Sequence, residues 1–301
     1  MVGTRAKGIV MTLRPIVGIV TVPWTLAMGM LAASLNSTHF GDVHSISGSW
    51  DSVGLIVMAA YLGVTAGYAL NDYFDFDLDA RRASMTGGPP RPVRRRGDLL
   101  TQGAVLGAAS LAIMLYLGPL TFVLGLAQVL CVLVYSALAK PRTPYANLLV
   151  VLAVAIMPMT IFSAFTTRLM VEAVALAAVN ATFEPGFTWA GVLRDTPTDK
   201  ALGMPTFPAI HGIKATAKLI LVSWLLLGLA TVEMYRLSDL GPIFLVLALV
   251  ATLWLLGNAF RLVRRPEPEI GGATFLRATL WFWLFSLAII LDIVFHYAWL
   301  D

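Results

Sequence analysis

The sequence has little charge and almost no cysteine, and both shortages limit what the protein can be. Only 13 % of its 301 residues are Asp, Glu, Lys or Arg, whereas a soluble domain carries about a quarter. Its single cysteine, Cys131, excludes a disulfide framework or a cysteine metal site within one chain. No soluble domain and no low-complexity linker interrupt the chain, so we expect one domain over residues 1–301.

Apolar residues take the place of the missing charge. They make up 58 % of the sequence, and the mean hydropathy is +0.80, which is typical of integral membrane proteins. The first residues, MVGTRAKGIV, run into an apolar segment without a small-residue cleavage site, so we interpret them as leading into a retained first helix. The net charge of +4 does not indicate a nucleic-acid partner, because the basic residues cluster at the ends of apolar segments.

Nine apolar segments are long enough to suggest membrane crossings, since a helix needs about 20 apolar residues to span the hydrocarbon core. They cover approximately 9–33, 53–74, 101–118, 120–137, 147–165, 170–193, 215–234, 240–260 and 275–298. Only Gly118-Pro119 separates the third segment from the fourth, which predicts a tight helical hairpin. The fold class predicted is therefore an all-α integral membrane bundle of nine transmembrane helices.

The basic residues predict the orientation of this bundle. With a cytoplasmic N-terminus, all but two of the 21 lysines and arginines fall on the cytoplasmic side, as the positive-inside rule requires. The exceptions are Arg168 and Arg236. We therefore expect a multi-pass protein of the lipid bilayer with its N-terminus in the cytoplasm and its C-terminus on the opposite side.

A first acidic cluster, NDYFDFDLDARR (71–82), directly follows the second apolar segment. Asn71, Asp75 and Asp79 are four residues apart and would share one helix face, with Asp72 beside them. Stacked carboxylates at a membrane boundary need a positive partner, and oxygen-only ligands suit Mg²⁺. A solvated helix end is the alternative interpretation.

A second acidic cluster lies in RDTPTDKALGMPTFPAIHG (194–212). Asp195 and Asp199 end the sixth segment as Asp75 and Asp79 end the second. Asp195 follows Asp75 by the same number of residues as Asp199 follows Asp79. An even number of crossings lies between the clusters, so both belong to one membrane surface and could face each other across a central cavity. This resembles an internal repeat, although an ordinary polar loop would also explain the second cluster.

Basic residues accompany the acids in the loops of that surface, namely Arg91, Arg94, Lys140, Arg142 and Lys200. For each of these residues taken singly, the alternative interpretation is that it only anchors a helix end on the cytoplasmic side, as the positive-inside rule describes. Acids and bases together indicate a site for a metal-bound polyanion, most simply a diphosphate. Tyr135 stands close to Lys140 and Arg142 where the fourth segment reaches the same surface.

At these residues the chain resembles the UbiA-type intramembrane prenyltransferases. Their NDxxDxxxD motif is matched by Asn71, Asp72, Asp75 and Asp79, and their second DxxxD-type motif with G-x-x-T-x-P by Asp195, Asp199, Gly203, Thr206 and Pro208. Their Y-x(4)-K and RP elements are matched by Tyr135 with Lys140 and by Arg91-Pro92. The resemblance covers nearly the whole chain.

The resemblance implies nine helices around a central cavity with cytoplasmic cap loops, and catalysis by Asp75, Asp79, Asp195 and Asp199. These aspartates, with Asn71 and Asp72, would bind Mg²⁺. Diphosphate-binding residues would be Arg91, Tyr135, Lys140, Arg142 and Lys200. The reaction implied is Mg²⁺-dependent ionisation of a prenyl diphosphate and transfer of the prenyl group to a hydrophobic acceptor, aromatic or lipid. The segment ASMTGGPPRPVRRRG departs from the family pattern, so the resemblance does not identify that acceptor.

Glu184 is a carboxylate inside the sixth segment, followed by Pro185-Gly186. It could orient an acceptor, accept its proton or stabilise a carbocation, and we include it among the candidate catalytic residues. It could equally satisfy backbone groups freed by the proline. Asp292 and His296 are four residues apart toward the outer end of the last segment, where we expect a hydrogen bond between them or exposure on the outer side and no catalytic role.

Two other functions are compatible with the same features. A terpene cyclase of the same fold would ionise the same diphosphate and let the substrate's own double bonds trap the cation. A non-catalytic carrier is the second alternative. Unpaired acids scattered through the helices would favour a proton-coupled carrier, whereas the acids of this chain concentrate at one surface.

Overall fold

The computed structural model describes residues 15–36, 49–86 and 95–296, and within these ranges the chain is helical without a β-strand. The helices are α1 (Pro15–Leu35), α2 (Trp50–Phe74), α3 (Phe76–Thr86), α4 (Arg96–Leu117), α5 (Pro119–Val134), α6 (Asn147–Phe162), α7 (Val171–Ala201), α8 (Phe207–His211), α9 (Ile213–Leu237), α10 (Pro242–Arg264) and α11 (Pro268–His296). A π-helical turn, Tyr135–Ala139, extends α5.

Each of the nine predicted segments overlaps one of the long helices, with residues 9–14 of the first segment outside the described residues, and α3 and α8 are additional short helices. Only Gly118 links α4 to α5, which confirms the predicted hairpin. Seven helices in the described part of the chain are long and apolar enough to cross a membrane, so a multi-pass membrane protein is supported. The other two are α6, with 16 residues, and α7, whose polar residues lower its hydropathy, so crossing by these two stays a prediction.

The long helices form a closed ring. Consecutive long helices pack side by side, and α11 returns to pack against α1. Helix α7 also makes extensive contacts outside this order, because it packs against α11 across the ring as well as against α6 and α9. This central position explains why many residues of α7 are buried although the helix carries charged side chains.

Aromatic side chains fill the space between α1, α7 and α11. Phe183 stacks on Trp281 with 4.2 Å between ring centroids, and Trp24 packs against Phe285 at 5.5 Å. Each of these four side chains is at most 2 % exposed. This part of the bundle is therefore a packed core, and open space has to be sought elsewhere.

Asp292 has a structural role near the beginning of α10. Its carboxylate accepts hydrogen bonds from the backbone N–H groups of Gly241, at 2.6 Å, and Phe244, at 3.0 Å. The unpaired N–H groups and the dipole at a helix N-terminus both favour a negative charge there. Asp292 is 2 % exposed, so the predicted exposure on the outer side is wrong, and its backbone partners on α10 were not predicted.

Gly186 allows α7 and α9 to approach closely, and replacing it tests this packing. A Cβ atom at residue 186 would overlap the indole of Trp224, which is fully buried and donates to the carbonyl of Phe183. Gly186→Ala should lower the free energy of unfolding by about 1–3 kcal/mol, the usual cost of overpacking a core. Thermal unfolding in detergent measures the effect.

The matched control is Gly257→Ala in α10, where an added Cβ meets no atom within 4 Å. This change should be neutral or stabilising by up to about 1 kcal/mol, because alanine favours a helix over glycine. Equal melting temperatures for the two variants would contradict the packing at Gly186.

Candidate active site

The first acidic cluster lies at a break between two helices. We predicted one continuous helix face, but α2 ends at Phe74 and α3 begins at Phe76, with Asp75 between them. The backbone N–H of Asp75 still donates to the carbonyl of Asn71, and that of Asp79 to the carbonyl of Asp75. Near-helical spacing is therefore kept, and the amide of Asn71 donates to Oδ2 of Asp75 at 3.0 Å.

The π-helical turn after α5 brings a base to this cluster. Lys140 follows the turn directly, and its ammonium group donates to Oδ2 of Asp75. Within the turn, the hydroxyl of Ser136 donates to Oδ1 of Asn71 at 3.3 Å, and Lys140 lies 5.8 Å from the ring centre of Tyr135. Turns of this kind are rare and frequently mark functional sites.

The second acidic cluster is part of α7 itself, which continues through Pro197 to Ala201. The side chain of Asp199 points inward and is 1 % exposed, whereas that of Asp195 is 37 % exposed. Arg194 donates to both oxygens of Asp195, at 2.9 and 3.2 Å. The two aspartates of this motif therefore have different surroundings.

Arg82 of α3 joins the two clusters. Its guanidinium pairs with Oδ1 of Asp199 and lies 3.9 Å from Oδ1 of Asp79. Asp199 lies beyond the apolar segment 170–193. Burial raises its pKa, while the charge of Arg82 opposes that shift. Carboxylates that are far apart in the sequence are therefore held together by one arginine.

A cavity of about 100 Å³ opens beside these ion pairs. Its lining combines the acids and bases with the chain after the π-helical turn and with the beginning of α8. Gly203 has a φ of +68° and Gly212 of +87°, which glycine adopts readily, so the chain can turn before and after α8. The lining residues are Arg82, Tyr135, Lys140, Thr143, Pro144, Ala146, Asn147, Val192, Asp195, Asp199, Thr206 and Phe207.

Most of the site residues predicted from the sequence come together here. Tyr135, Lys140, Asp195 and Asp199 line the cavity. Asp75 and Asp79 contact its bases, and Asn71 is bonded to Asp75. Asp72 is half-buried beside Asn71.

Two of the predicted diphosphate-binding residues, Arg142 and Lys200, do not line the cavity. Arg142 is exposed and donates to the carbonyl of Leu138 at 2.7 Å. Lys200 is exposed at the end of α7, and Arg91 lies outside the described residues. The roles assigned to these three residues stay predictions.

Sequence reasoning did not identify Arg82 or Ser136 as site residues. Arg82 was assigned to membrane orientation with the other bases, although its position three residues after Asp79 would have indicated an ion pair on one helix face. Ser136 carries no comparable signal, because its contact with Asn71 depends on the π-helical turn.

Glu184 is separated from this ion-pair cluster. It lies about 16 Å along α7 from Asp195, at 1.5 Å per residue, and is 5 % exposed. The hydroxyl of Thr188 donates to its Oε1. No lysine or arginine forms a salt bridge with Glu184 within the described ranges.

The ligand atoms of the two clusters suit Mg²⁺, although they do not form a closed metal cage. All of them are carboxylate or amide oxygens, which this hard cation prefers. In the described part of the chain, no three His, Cys, Asp or Glu side chains converge on one point. Mg²⁺ typically takes one or two carboxylates and completes its shell with water and substrate phosphate, so the donor set fits the ion.

Comparison with known proteins adds independent information. The model of the UbiA prenyltransferase family matches residues 22–287, which confirms the resemblance described above. The protoheme IX farnesyltransferase of Korarchaeum cryptofilum is 28 % identical to this chain over 252 residues, which cover 83 % of this chain and 85 % of the relative.

Solved structures show the same fold. The apo structure of a UbiA homolog from Aeropyrum pernix K1 has a TM-score of 0.71 and 16 % identity, and the match covers 92 % of this chain and 98 % of that one. A UbiA homolog from Archaeoglobus fulgidus bound to GPP and Mg²⁺ has a TM-score of 0.58 and 15 % identity, and the match covers 92 % and 97 %.

The different burial of Asp195 and Asp199 leads to a stability prediction. Asp199→Asn removes the partner of Arg82 inside the protein and should lower the free energy of unfolding by about 3 kcal/mol, as expected for breaking a buried ion pair. Asp195→Asn removes an exposed pair and should cost less than about 1 kcal/mol. Chemical denaturation in detergent measures both variants, and equal losses would contradict the inward position of Asp199.

Proposed function

The chain belongs to the UbiA prenyltransferase family, and on that premise we propose that it transfers a prenyl group from a prenyl diphosphate to an aromatic or lipid acceptor in the membrane. One observation carries the proposal. Two aspartate motifs from distant parts of the chain meet, with Lys140 and Arg82, beside one cavity. This combination of acids and bases suits a diphosphate and the metal ions that accompany it.

In this proposal oxygens of both motifs would hold Mg²⁺. Asn71, Asp72, Asp75 and Asp79 supply oxygens from the first motif, and Asp195 and Asp199 supply them from the second. Bound Mg²⁺ would neutralise the charge that develops on the leaving diphosphate. Tyr135, Lys140, Arg142, Lys200 and Arg91 are the proposed diphosphate-binding residues, of which Tyr135 and Lys140 line the cavity.

The chemistry requires that a carbocation be kept from water. The bond between C1 of the prenyl chain and the diphosphate oxygen breaks, and the bonding electrons leave with the diphosphate. Positive side chains at the site stabilise that leaving group. A nucleophilic atom of the acceptor then bonds to C1 and releases a proton, while the apolar helices exclude water from the cation.

We further propose that both aspartate motifs face the cytoplasm and that α6 and α7 cross the membrane with the other seven long helices. The distribution of lysine and arginine supports this orientation. The ring formed by the nine long helices of the described residues supports the crossings, because α6 and α7 occupy places in it between α5 and α9.

Farnesyl diphosphate and protoheme IX are the first substrates to test, because they correspond to the names of the curated relatives. At 28 % identity these names do not assign the acceptor of this chain. A panel should therefore add geranyl and geranylgeranyl diphosphates, a phenolic acceptor and a glycerol-based lipid acceptor.

The central prediction concerns diphosphate release by the purified protein in detergent with Mg²⁺. We expect little release from any prenyl diphosphate alone and at least tenfold faster release, with a prenylated product, when the productive acceptor is added. Asp75→Ala should reduce turnover at least a thousandfold, because it removes a central oxygen ligand and the partner of Lys140. Coupled diphosphate detection and mass spectrometry of the products make the measurement.

Two other outcomes of the diphosphate-release assay would contradict prenyl transfer and indicate a different function. Rapid release without an acceptor, together with a cyclic hydrocarbon product, would make the protein a terpene cyclase. Binding of prenyl diphosphates without any release would indicate a carrier.

We also propose that Glu184 orients the acceptor. Asn180, Glu184, Thr188 and Val192 are spaced four apart along α7, and Val192 lines the cavity. The amide of Asn180 donates to the carbonyl of Val154 at 2.9 Å, but its buried Oδ1 accepts no hydrogen bond within the described residues. A prenyl tail is apolar and cannot form hydrogen bonds with these polar atoms, whereas an acceptor with polar groups can.

Steady-state kinetics with the productive acceptor tests this role. Glu184→Gln should raise the KM for the acceptor at least tenfold and leave the KM for the prenyl diphosphate within twofold, because only the acceptor contacts this part of α7. Glu172→Gln, which alters another buried acid of the same helix, is the matched control and should change neither constant. Wild-type kinetics for Glu184→Gln would refute the proposed role.

A further inference from the structure

Each inward-facing aspartate of the site already has a positive partner from the protein itself. The ammonium of Lys140 contacts Asp75, and the guanidinium of Arg82 contacts Asp199 and approaches Asp79. These side chains are mostly buried, with 16 % exposure for Lys140 and 24 % for Arg82. The internal cations therefore bind the carboxylates that the proposed function assigns to Mg²⁺.

This pairing opposes the binding of either ligand alone. Mg²⁺ by itself would have to displace Lys140 or Arg82 from a carboxylate, and the displaced cation would lose an ion pair in a partly buried site. A diphosphate by itself would have to draw the same cations away, and the carboxylates would lose the charges that neutralise them. An uncompensated charge in a partly buried site costs much more than one in water.

Both ligands together avoid these costs. The carboxylates can then bind Mg²⁺, and the released ammonium and guanidinium groups can bind phosphate oxygens, so that every charge changes its partner and none is left alone. Arg82 suits this exchange because its planar guanidinium can bind phosphate through two parallel hydrogen bonds. Its position between both motifs, at the wall of the cavity, gives it access to the substrate.

We propose that Arg82 and Lys140 exchange their aspartate partners for the diphosphate when Mg²⁺ binds, so that the metal and the diphosphate bind synergistically and Arg82 is a further diphosphate-binding residue. The inference rests on the proposed function, since it concerns the same site. It adds the requirement that each ligand strengthens the binding of the other by the same factor, as linkage demands.

Calorimetric titration of the full-length protein in detergent tests the exchange, with MgCl₂ and inorganic pyrophosphate as probes. We expect weak binding of either probe alone. Pyrophosphate should bind at least tenfold more tightly at saturating Mg²⁺, after correction for magnesium pyrophosphate formed in solution. The wild-type protein should show the same factor for Mg²⁺ when pyrophosphate is present.

Substitutions at the ion pair give opposite changes for the two probes. Arg82→Gln should lower the dissociation constant of Mg²⁺ alone at least threefold, because a competing cation is removed, and raise that of pyrophosphate at least tenfold. Asp199→Asn should do the reverse. Arg81→Gln removes an exposed base one residue away on α3 and should change neither constant. A merely structural arginine would not produce changes of opposite sign.

The possible failures can be told apart. If Arg82→Gln weakens Mg²⁺ binding or leaves it unchanged while its melting temperature stays near that of the wild type, the exchange is wrong and the proposed function stands. If Arg82→Gln unfolds, Arg82→Lys serves instead and should retain synergy below the wild-type factor. If the wild type binds neither probe, alone or together, the proposed function itself is wrong.

Discussion

The structure depends on the neutralisation of carboxylates at the edge of an apolar bundle. Asp75 and Asp199 would each destabilise a buried position without a cation. Lys140 and Arg82 supply those cations from other helices. The same two contacts therefore stabilise the fold and prepare the site, because they hold α3, α7 and the chain after α5 around one cavity.

The central place of α7 follows from the same constraint. A helix with several acids is poorly suited to face lipid, and this one is packed by α6, α9 and α11. Its Asp199 meets Arg82, its Glu184 meets Thr188, and its Gly186 lets the indole of Trp224 approach. Each of these three residues of α7 thus has a neighbour that explains its position.

Much of this architecture could be predicted from the sequence because it depends on local patterns. The apolar segments correspond to the long helices, and Gly118-Pro119 marks the hairpin. The break at Asp75 and the continuation of α7 through Pro197 were not predicted, because packing around those residues determines them. The pairing of Arg82 with Asp199 was not predicted for a related reason, since the two residues lie 117 positions apart in the sequence. The spacing of charged residues along the sequence is enough to indicate a site. Which of these residues form ion pairs depends on the three-dimensional fold.

A structure with Mg²⁺ and an unreactive prenyl thiolodiphosphate would test the central claim most directly. The account predicts that Mg²⁺ lies between the two motifs, on oxygens that include those of Asp75 and Asp199, and that Arg82 and Lys140 bind phosphate oxygens. A diphosphate bound elsewhere, or one bound here while Lys140 and Arg82 still pair with Asp75 and Asp199, would contradict it.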